Sequence, residues 1–352
     1  MQAARFKKRK ENGFFLMERW NDKKNFQSAI EKIYFNLAET EKDKTYYLKK
    51  AIRLHECGTW LSFLECPHGH KESVSLKNAN FCKVRLCSYC QWRRSLFVYH
   101  QFLTVAHKVQ EIAPGTKYLF MTLTGKNVTA QELPQAITHY IKSLQKLVNY
   151  KDFKVIKGIF RTLEITYNSK KNTYHPHFHL IAAVEKSYFT ERNYISQKKL
   201  TGMWQKAFQV DYTPIVDIRK VRPKLKNQKT VLKTVDELQN NLAGAAAEVA
   251  KYAVKFSDVL QSENKNEVVK VLDNALAGRR LVAYSGVMKE AYKALKLKDV
   301  DESDLIDVEN SNFDKNCQCE ICKSELIQTQ YLFNFKNKKY AEVKKKGLKD
   351  VL

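Results

Sequence analysis

Two β-forming segments joined by a short polar stretch constrain this chain most. "IKGIFRTLEITYN" and "YHPHFHLIAAV" flank "SKKNT", and strands joined so closely pair as an antiparallel hairpin. Alternate side chains on a strand share a face. His175, His177 and His179 therefore point one way, and Phe178 and Leu180 point the other way, into a core. A hairpin centred on Lys170–Lys171 sets Glu164 opposite His177 and Thr162 opposite His179. Cross-strand partners on one face stand about 5 Å apart. Glu164, His177 and His179 thus form a candidate His–His–Glu set for one divalent ion, and a slip of one residue would turn Glu164 away. His175 is a further candidate ligand, but it precedes Pro176 near the strand's start, so it ranks behind these three and is expected beside them.

The flanking segments supply the rest of a sheet. "KYLFMTLTGKN" (117–127) is rich in β-formers, and "TAQELPQAITHYIKSLQKLVNY" starts at a capping Thr129 with Pro134 in its first turns, as helices do. A helix over 188–209, a short strand "VDIRKV" and a long alanine-rich helix "DELQNNLAGAAAEVAKYAVKFSDVL" follow. This order predicts an α+β domain over 115–260, a central antiparallel sheet flanked by helices. Residues 1–110 read as a helical N-terminal region with a cysteine-rich zinc module. Residues 261–352 read as a C-terminal region with "CQCEIC" and a basic tail. At 352 residues the chain is long enough for two or three domains.

The net charge is +25, from 62 Lys and Arg against 37 Asp and Glu, which points to a polyanion, most often nucleic acid. The cations are clumped. From Arg219 to Lys233 there are seven and no acid. Arg219, Lys220, Arg222, Lys224 and Lys226 are the candidates there for phosphate contact, which confers affinity and salt dependence, not base choice. No apolar run approaches the roughly 18 residues of a membrane span. The "FFLM" behind the basic N-terminus is too short for a signal-peptide core. A cytoplasmic protein with no membrane partner is expected.

Of eight cysteines, Cys82, Cys87 and Cys90 are spaced C-x4-C-x2-C, and the last pair has zinc-knuckle spacing. The fourth ligand is open among Cys57, Cys66, His68 and His70. Arg93 and Arg94 follow Cys90 directly, so a structural Zn²⁺ would set them at a rigid corner suited to phosphate contact. Cys317, Cys319 and Cys322 suggest part of a second zinc site, one ligand short, which a spare N-terminal ligand could complete. In "AAAEVAKYAVKFS" a continuous helix places Glu248 and Tyr252 at i and i+4 on one face, with Lys251 and Lys255 beside them. A tyrosine oxygen can serve as a nucleophile.

"LFMTLT", "HPHFHLI" and "EVAKYAVK", in that order, closely resemble the three motifs of HUH endonucleases. The nearest type is the rolling-circle replication initiator of small Gram-positive plasmids, whose N-terminal signature "FCKVRLCSYCQWRRSL" resembles; the likeness spans roughly 57–260. It implies His177 and His179 as metal ligands, Glu164 as the third, and Mg²⁺ or Mn²⁺ as the ion. It implies attack by Tyr252 on a DNA phosphodiester of the plasmid origin, presented single-stranded or as an extruded hairpin. A 5′-phosphotyrosine and a free 3′-OH result. Glu248 would activate water at termination, a host helicase and DNA polymerase would be partners, and the cytoplasm would be bacterial. The family's pattern favours Cys57 as the fourth zinc ligand.

Two other readings compete. "HPHFHLI" also fits the histidine triad of nucleotide hydrolases and transferases, where the middle histidine is the nucleophile and no metal is needed. That reading leaves the charge, the cysteines and the Glu248/Tyr252 segment unexplained. A non-catalytic zinc protein that binds nucleic acid explains the charge and the cysteines but leaves the histidine strand idle.

Overall fold

The computed structural model describes residues 2–70, 74–190, 193–221, 237–251, 253–306, 308 and 318–343. In chain order the helices are α1 (Gln2–Thr40), α2 (Lys44–Glu56), α3 (Ser88–Ile112), α4 (Leu133–Val148), α5 (Gln197–Phe208), α6 (Glu237–Val249), α7 (Phe256–Leu260), α8 (Lys265–Leu276) and α9 (Gly286–Ala294). The strands are β1 (Trp60–Glu65), β2 (Ser75–Ala79), β3 (Lys117–Thr124), β4 (Ile156–Asn168), β5 (Thr173–Val184), β6 (Val216–Lys220), β7 (Val282–Ser285), β8 (Ile327–Asn334) and β9 (Lys339–Glu342). The protein is mixed α+β, with two antiparallel sheets flanked by helices. It divides into two compact units, Val98–Val300 and the pair of segments Met1–Phe97 and Asp301–Leu352. The sequence reading drew three regions, with 261–352 standing alone. The structure instead assigns 261–300 to the larger unit and the rest to the unit that holds the N-terminus.

In the larger unit the sheet order is β6-β3-β5-β4-β7, so the histidine-bearing β5 is the central strand. The β4–β5 register sets Glu164 opposite His177 and Thr162 opposite His179. Two long strands with a short turn permit few registers, and one buried face selects among them. The face that carries Phe178 is covered by α4, whose buried Leu133, Ile137, Tyr140, Leu144 and Leu147 recur at helical spacing. Tyr140 meets Phe178 edge-on at 5.7 Å, and the Arg161 guanidinium lies over the Phe178 ring at 5.0 Å. On the opposite face Phe102, Phe160 and Tyr284 stack in sequence at 4.9 and 4.7 Å. That stack closes one end of the histidine face.

Phe178, between the two candidate ligands in sequence but on the opposite face, is fully buried. Phe178→Ala is expected to cost about 3–5 kcal/mol of stability, the usual range for emptying such a site. A shift in the urea midpoint checks this, and a loss below about 1 kcal/mol would contradict this packing.

The expected helix over 188–209 is shorter. A 3-10 turn covers Lys186–Phe189, and α5 starts only after Ser196, whose side chain accepts a hydrogen bond from the Lys199 amide. The alanine-rich helix is also shorter than expected. It ends at Val249, and Val254 forms a parallel bridge with Ile165. β7 pairs with β4 only as far as Thr162, so the β4 edge beyond it offers an amide that must find a partner. Ile165 N–H donates to the Ala253 carbonyl at 2.9 Å. That tertiary bond overrides local helix propensity.

The smaller unit carries the sheet β2-β1-β8-β9. Along β8, Thr329, Tyr331 and Phe333 are buried while the residues between them are exposed, the alternation of a sheet with one wet face. Trp20 packs edge-on against Phe63, Tyr89 and Trp92 at 5.3, 5.9 and 4.8 Å. Tyr89 hydrogen-bonds Tyr340 at 2.8 Å, which fastens β9 to the module. Among the described residues no helix is long and apolar enough to cross a membrane.

Candidate active site

The hairpin register delivers three ligand atoms to one point. Glu164 Oε2 lies 3.0 Å from His179 Nε2 and 3.4 Å from His177 Nε2. Both imidazoles are 8% exposed. His177 Nδ1 is 3.1 Å from the His175 carbonyl, which can only accept, so that nitrogen carries the proton. His177 Nε2 is then the ring nitrogen that faces the Glu164 carboxylate. His179 Nδ1 is 3.4 Å from Thr122 Oγ1, a partner that orients the ring. One atom each from Glu164, His177 and His179 lies within 4.8 Å of the others, so the three could hold a metal ion. A His₂Glu set suits a divalent cation and leaves coordination positions open for phosphate oxygens.

Burial pushes the Glu164 carboxyl up, and the two neighbouring imidazoles outweigh it, holding the carboxyl at about 2. The carboxylate is therefore ionised at neutral pH. His175 does not join the three. Its Nε2 donates to the Gly125 carbonyl at 3.1 Å, and burial followed by the neighbouring His177 pushes it down. A Cβ at Gly125 would stand 2.6 Å from the Phe208 ring and 2.8 Å from the Tyr140 hydroxyl, so only glycine brings this carbonyl to His175. An open cleft of about 410 Å³ lies beside His175, lined by Asn127, Asn168, Lys170, Asp258 and Gln261 among others.

Tyr252 lies outside the described residues. Its neighbours do not: the Ala253 carbonyl and Val254 are joined to Ile165, the residue next to Glu164. The expectation that Glu248 and Tyr252 share one continuous helical face is corrected, because α6 stops at Val249. Glu248 is half-buried and accepts a hydrogen bond from Lys251 Nζ, and Lys255 pairs with Asp258 at 3.0 Å.

Cys57, Cys82, Cys87 and Cys90 converge in the smaller unit and could hold a metal ion. Cys57 Sγ is 3.5 Å from Cys90 Sγ and 3.7 Å from Cys87 Sγ, and Cys82 Sγ is 3.7 Å from Cys90 Sγ. Zn–S bonds of about 2.3 Å put tetrahedral sulfurs about 3.8 Å apart. Lys24, fully buried, donates to the carbonyls of Cys57 at 2.7 Å and His55 at 2.9 Å. A buried ammonium beside four sulfurs suits an anionic tetrathiolate cluster. Of the four candidates for the last position, geometry brings in Cys57. Cys66 and His70 instead meet Cys319 and Cys322; His68 belongs to neither group, and Cys317 lies outside the described residues.

The arginines after Cys90 do not form the expected phosphate-contacting corner. Arg93 is 1% exposed and donates to the carbonyls of Leu305 at 2.9 Å and Ile306 at 2.8 Å. Arg94 donates to the Lys83 carbonyl at 2.7 Å, next to the cysteine loop. These main-chain acceptors turn part of each guanidinium's donors inward, into the module. Arg219 and Lys220 are exposed at the end of β6, over the rings of Phe120 and Phe189 at 4.7 and 4.8 Å. Arg222, Lys224 and Lys226 lie outside the described residues.

The chain matches the family described as "Replication protein" over residues 73–340. A Bacillus relative named "Protein rep" is 40% identical over 281 residues, covering 78% of this chain and 90% of the relative. A "Protein rep" of Bacillus amyloliquefaciens is 38% identical over 299 residues, 83% of this chain and 86% of the relative. A "Replication protein" of Staphylococcus aureus is 33% identical over 207 residues, 57% of this chain and 83% of the relative. No solved structure gives a significant match.

Proposed function

Because the chain belongs to the replication-protein family of plasmid rolling-circle initiators, we propose that it starts replication by nicking one strand of its plasmid origin through Tyr252. The phenolic oxygen of Tyr252 attacks the scissile phosphorus and the P–O3′ bond breaks. The strand's 5′-phosphate becomes esterified to tyrosine, and the departing oxygen takes a proton to give a 3′-OH primer. Transesterification conserves the bond, so the strand can be rejoined at termination.

Glu164, His177 and His179 would hold the catalytic cation, Mg²⁺ or Mn²⁺. Bound there, it neutralises phosphate charge and orients the phosphorus for in-line attack. The His175 carbonyl fixes the His177 ring, and Thr122 faces the far side of His179. The single observation that carries this reading is the meeting of both imidazoles on Glu164 Oε2, with the chain next to position 252 hydrogen-bonded to Ile165. The cleft beside His175 offers Asn and Lys donors to an extended, single-stranded or hairpin-extruded origin. Arg219 and Lys220, with Arg222, Lys224 and Lys226, add phosphate affinity. Zn²⁺ at Cys57, Cys82, Cys87 and Cys90 is structural. A host polymerase extends the primer and a helicase opens the duplex ahead of it, both in the bacterial cytoplasm.

The test is incubation of the protein with a labelled single-stranded origin oligonucleotide and Mn²⁺. A covalent protein–DNA adduct is expected, and a chelator prevents it. An adduct that forms equally well without a divalent cation contradicts the reading. Glu248, freed from Lys251, is the general base for water in the terminating cleavage. Glu248→Ala is therefore expected to leave the first cleavage intact and to lower hydrolytic turnover about 10²–10⁴-fold. Unchanged hydrolysis in that variant removes the role.

A further inference from the structure

We propose that Cys66, His70, Cys319 and Cys322 bind a second zinc ion, which clamps the C-terminal β8–β9 hairpin to the N-terminal module. The family match begins at residue 73, beyond both Cys66 and His70. The proposal does not depend on the nicking reaction.

Sheet topology builds this site. β1 and β8 are antiparallel neighbours, and their register pairs Glu65 with Ile327. Cys66, just after β1, and the turn just before β8 therefore emerge at the same end of the sheet. The Tyr331 hydroxyl donates to Glu65 Oε1 at 3.1 Å and locks the two strands together there. Each segment arrives as a tight turn. In the first, the Gly69 amide donates to the Cys66 carbonyl at 2.9 Å, with Gly69 at φ +79. The His68 amide points at Cys66 Sγ at 3.3 Å. In the second, Lys323, left-handed at φ +56, donates its amide to the Cys319 carbonyl at 2.9 Å, and the Cys319 amide donates to the Ser324 carbonyl at 2.8 Å. This is a Cys-x2-Cys knuckle, a spacing typical of zinc sites.

The donors close on one point. Cys66 Sγ lies 3.4 Å from Cys322 Sγ and 3.3 Å from His70 Nδ1, and that nitrogen lies 3.2 Å from Cys319 Sγ. Ligand atoms of all four residues fall within 4.8 Å of one another. Three soft sulfurs and one imidazole, four ligands in all, select zinc over the hard ions suited to the His₂Glu group. The first cluster draws all its ligands from 57–90, whereas this one joins residues about 250 apart in the chain. Its metal therefore governs how the chain's end is held.

The experiment is metal analysis and native mass spectrometry of the full chain purified without chelator. The Cys319→Ser/Cys322→Ser variant should carry one zinc fewer per chain than wild type, while Cys87→Ser/Cys90→Ser loses the other. His70→Cys should keep the full count. After cobalt replacement, the thiolate charge-transfer band of His70→Cys should exceed that of wild type, as three sulfurs become four at this site. That comparison decides the matter even if the serine variant does not fold. An unchanged zinc count in Cys319→Ser/Cys322→Ser, an unchanged cobalt band in His70→Cys, or a Cys66–Cys322 disulfide in the purified protein would each overturn the proposal.

Discussion

Replacing Tyr252 by Phe is expected to abolish covalent capture of the origin strand and to lower cleavage by about 10⁴-fold or more, the scale on which enzymes lose rate when their nucleophile is removed. Binding should persist almost unchanged, because phosphate contacts dominate affinity for DNA and one phenolic oxygen contributes little to it. Gel-shift and adduct assays on the same preparation separate the two effects. A covalent adduct in the Phe variant would transfer the nucleophile's role to another side chain. A parallel loss of binding would make Tyr252 a contact residue instead. The histidine-triad alternative predicts the reverse pattern, an adduct that survives Tyr252→Phe and disappears with His177→Ala.

Loss of one side chain of the proposed cation site should be nearly as damaging but different in kind. Glu164→Gln keeps the size of the side chain and removes its charge, while His179→Ala removes an imidazole that touches Glu164 at 3.0 Å. Each is expected to lower cation-supported cleavage by at least about 10³-fold at ordinary cation concentration. Raising Mn²⁺ should partly restore Glu164→Gln, because lost affinity is recovered by mass action. It should do nothing for Tyr252→Phe. The pH dependence follows from the sign of the Glu164 shift. With its carboxyl held at about 2, acidification to about pH 5 leaves it ionised, so it does not set the acid limb of a pH–rate profile. Cation titrations of cleavage with each variant check the first claim, and pH–rate profiles of the wild type and Glu164→Gln check the second.

The part of this site that was legible in the sequence is the part that local rules govern. Period-two alternation and a short turn determine which residues of a hairpin share a face, so Glu164 opposite His177 could be written down before any coordinates. The C-x4-C-x2-C spacing likewise announced a cluster, and the surrounding strands and helices followed from their periodicity. What sequence could not supply was set by partners far along the chain. The alanine-rich segment reads as one helix through Leu260, yet α6 stops at Val249, and the Ala253 carbonyl meets the spare amide of Ile165. Arg93 reads as a phosphate contact, yet the carbonyls of Leu305 and Ile306, over 200 residues away, take its guanidinium into the interior. The partners of Cys319 and Cys322 depended on β8 pairing with β1, a non-local choice with no sequence period to reveal it.

The central claim is that a cation held by Glu164, His177 and His179 supports transfer of a DNA phosphodiester to Tyr252. Locating the covalent bond tests it most directly. The protein is reacted with a short origin oligonucleotide in Mn²⁺, the DNA is trimmed by nuclease, and the digest is sequenced by tandem mass spectrometry. Trypsin cuts after Lys251 and Lys255 and releases the peptide that carries Tyr252. The expected result is nucleotide mass on Tyr252, present with Mn²⁺ and absent with chelator. Nucleotide mass on His177, or on any residue other than Tyr252, would contradict the account.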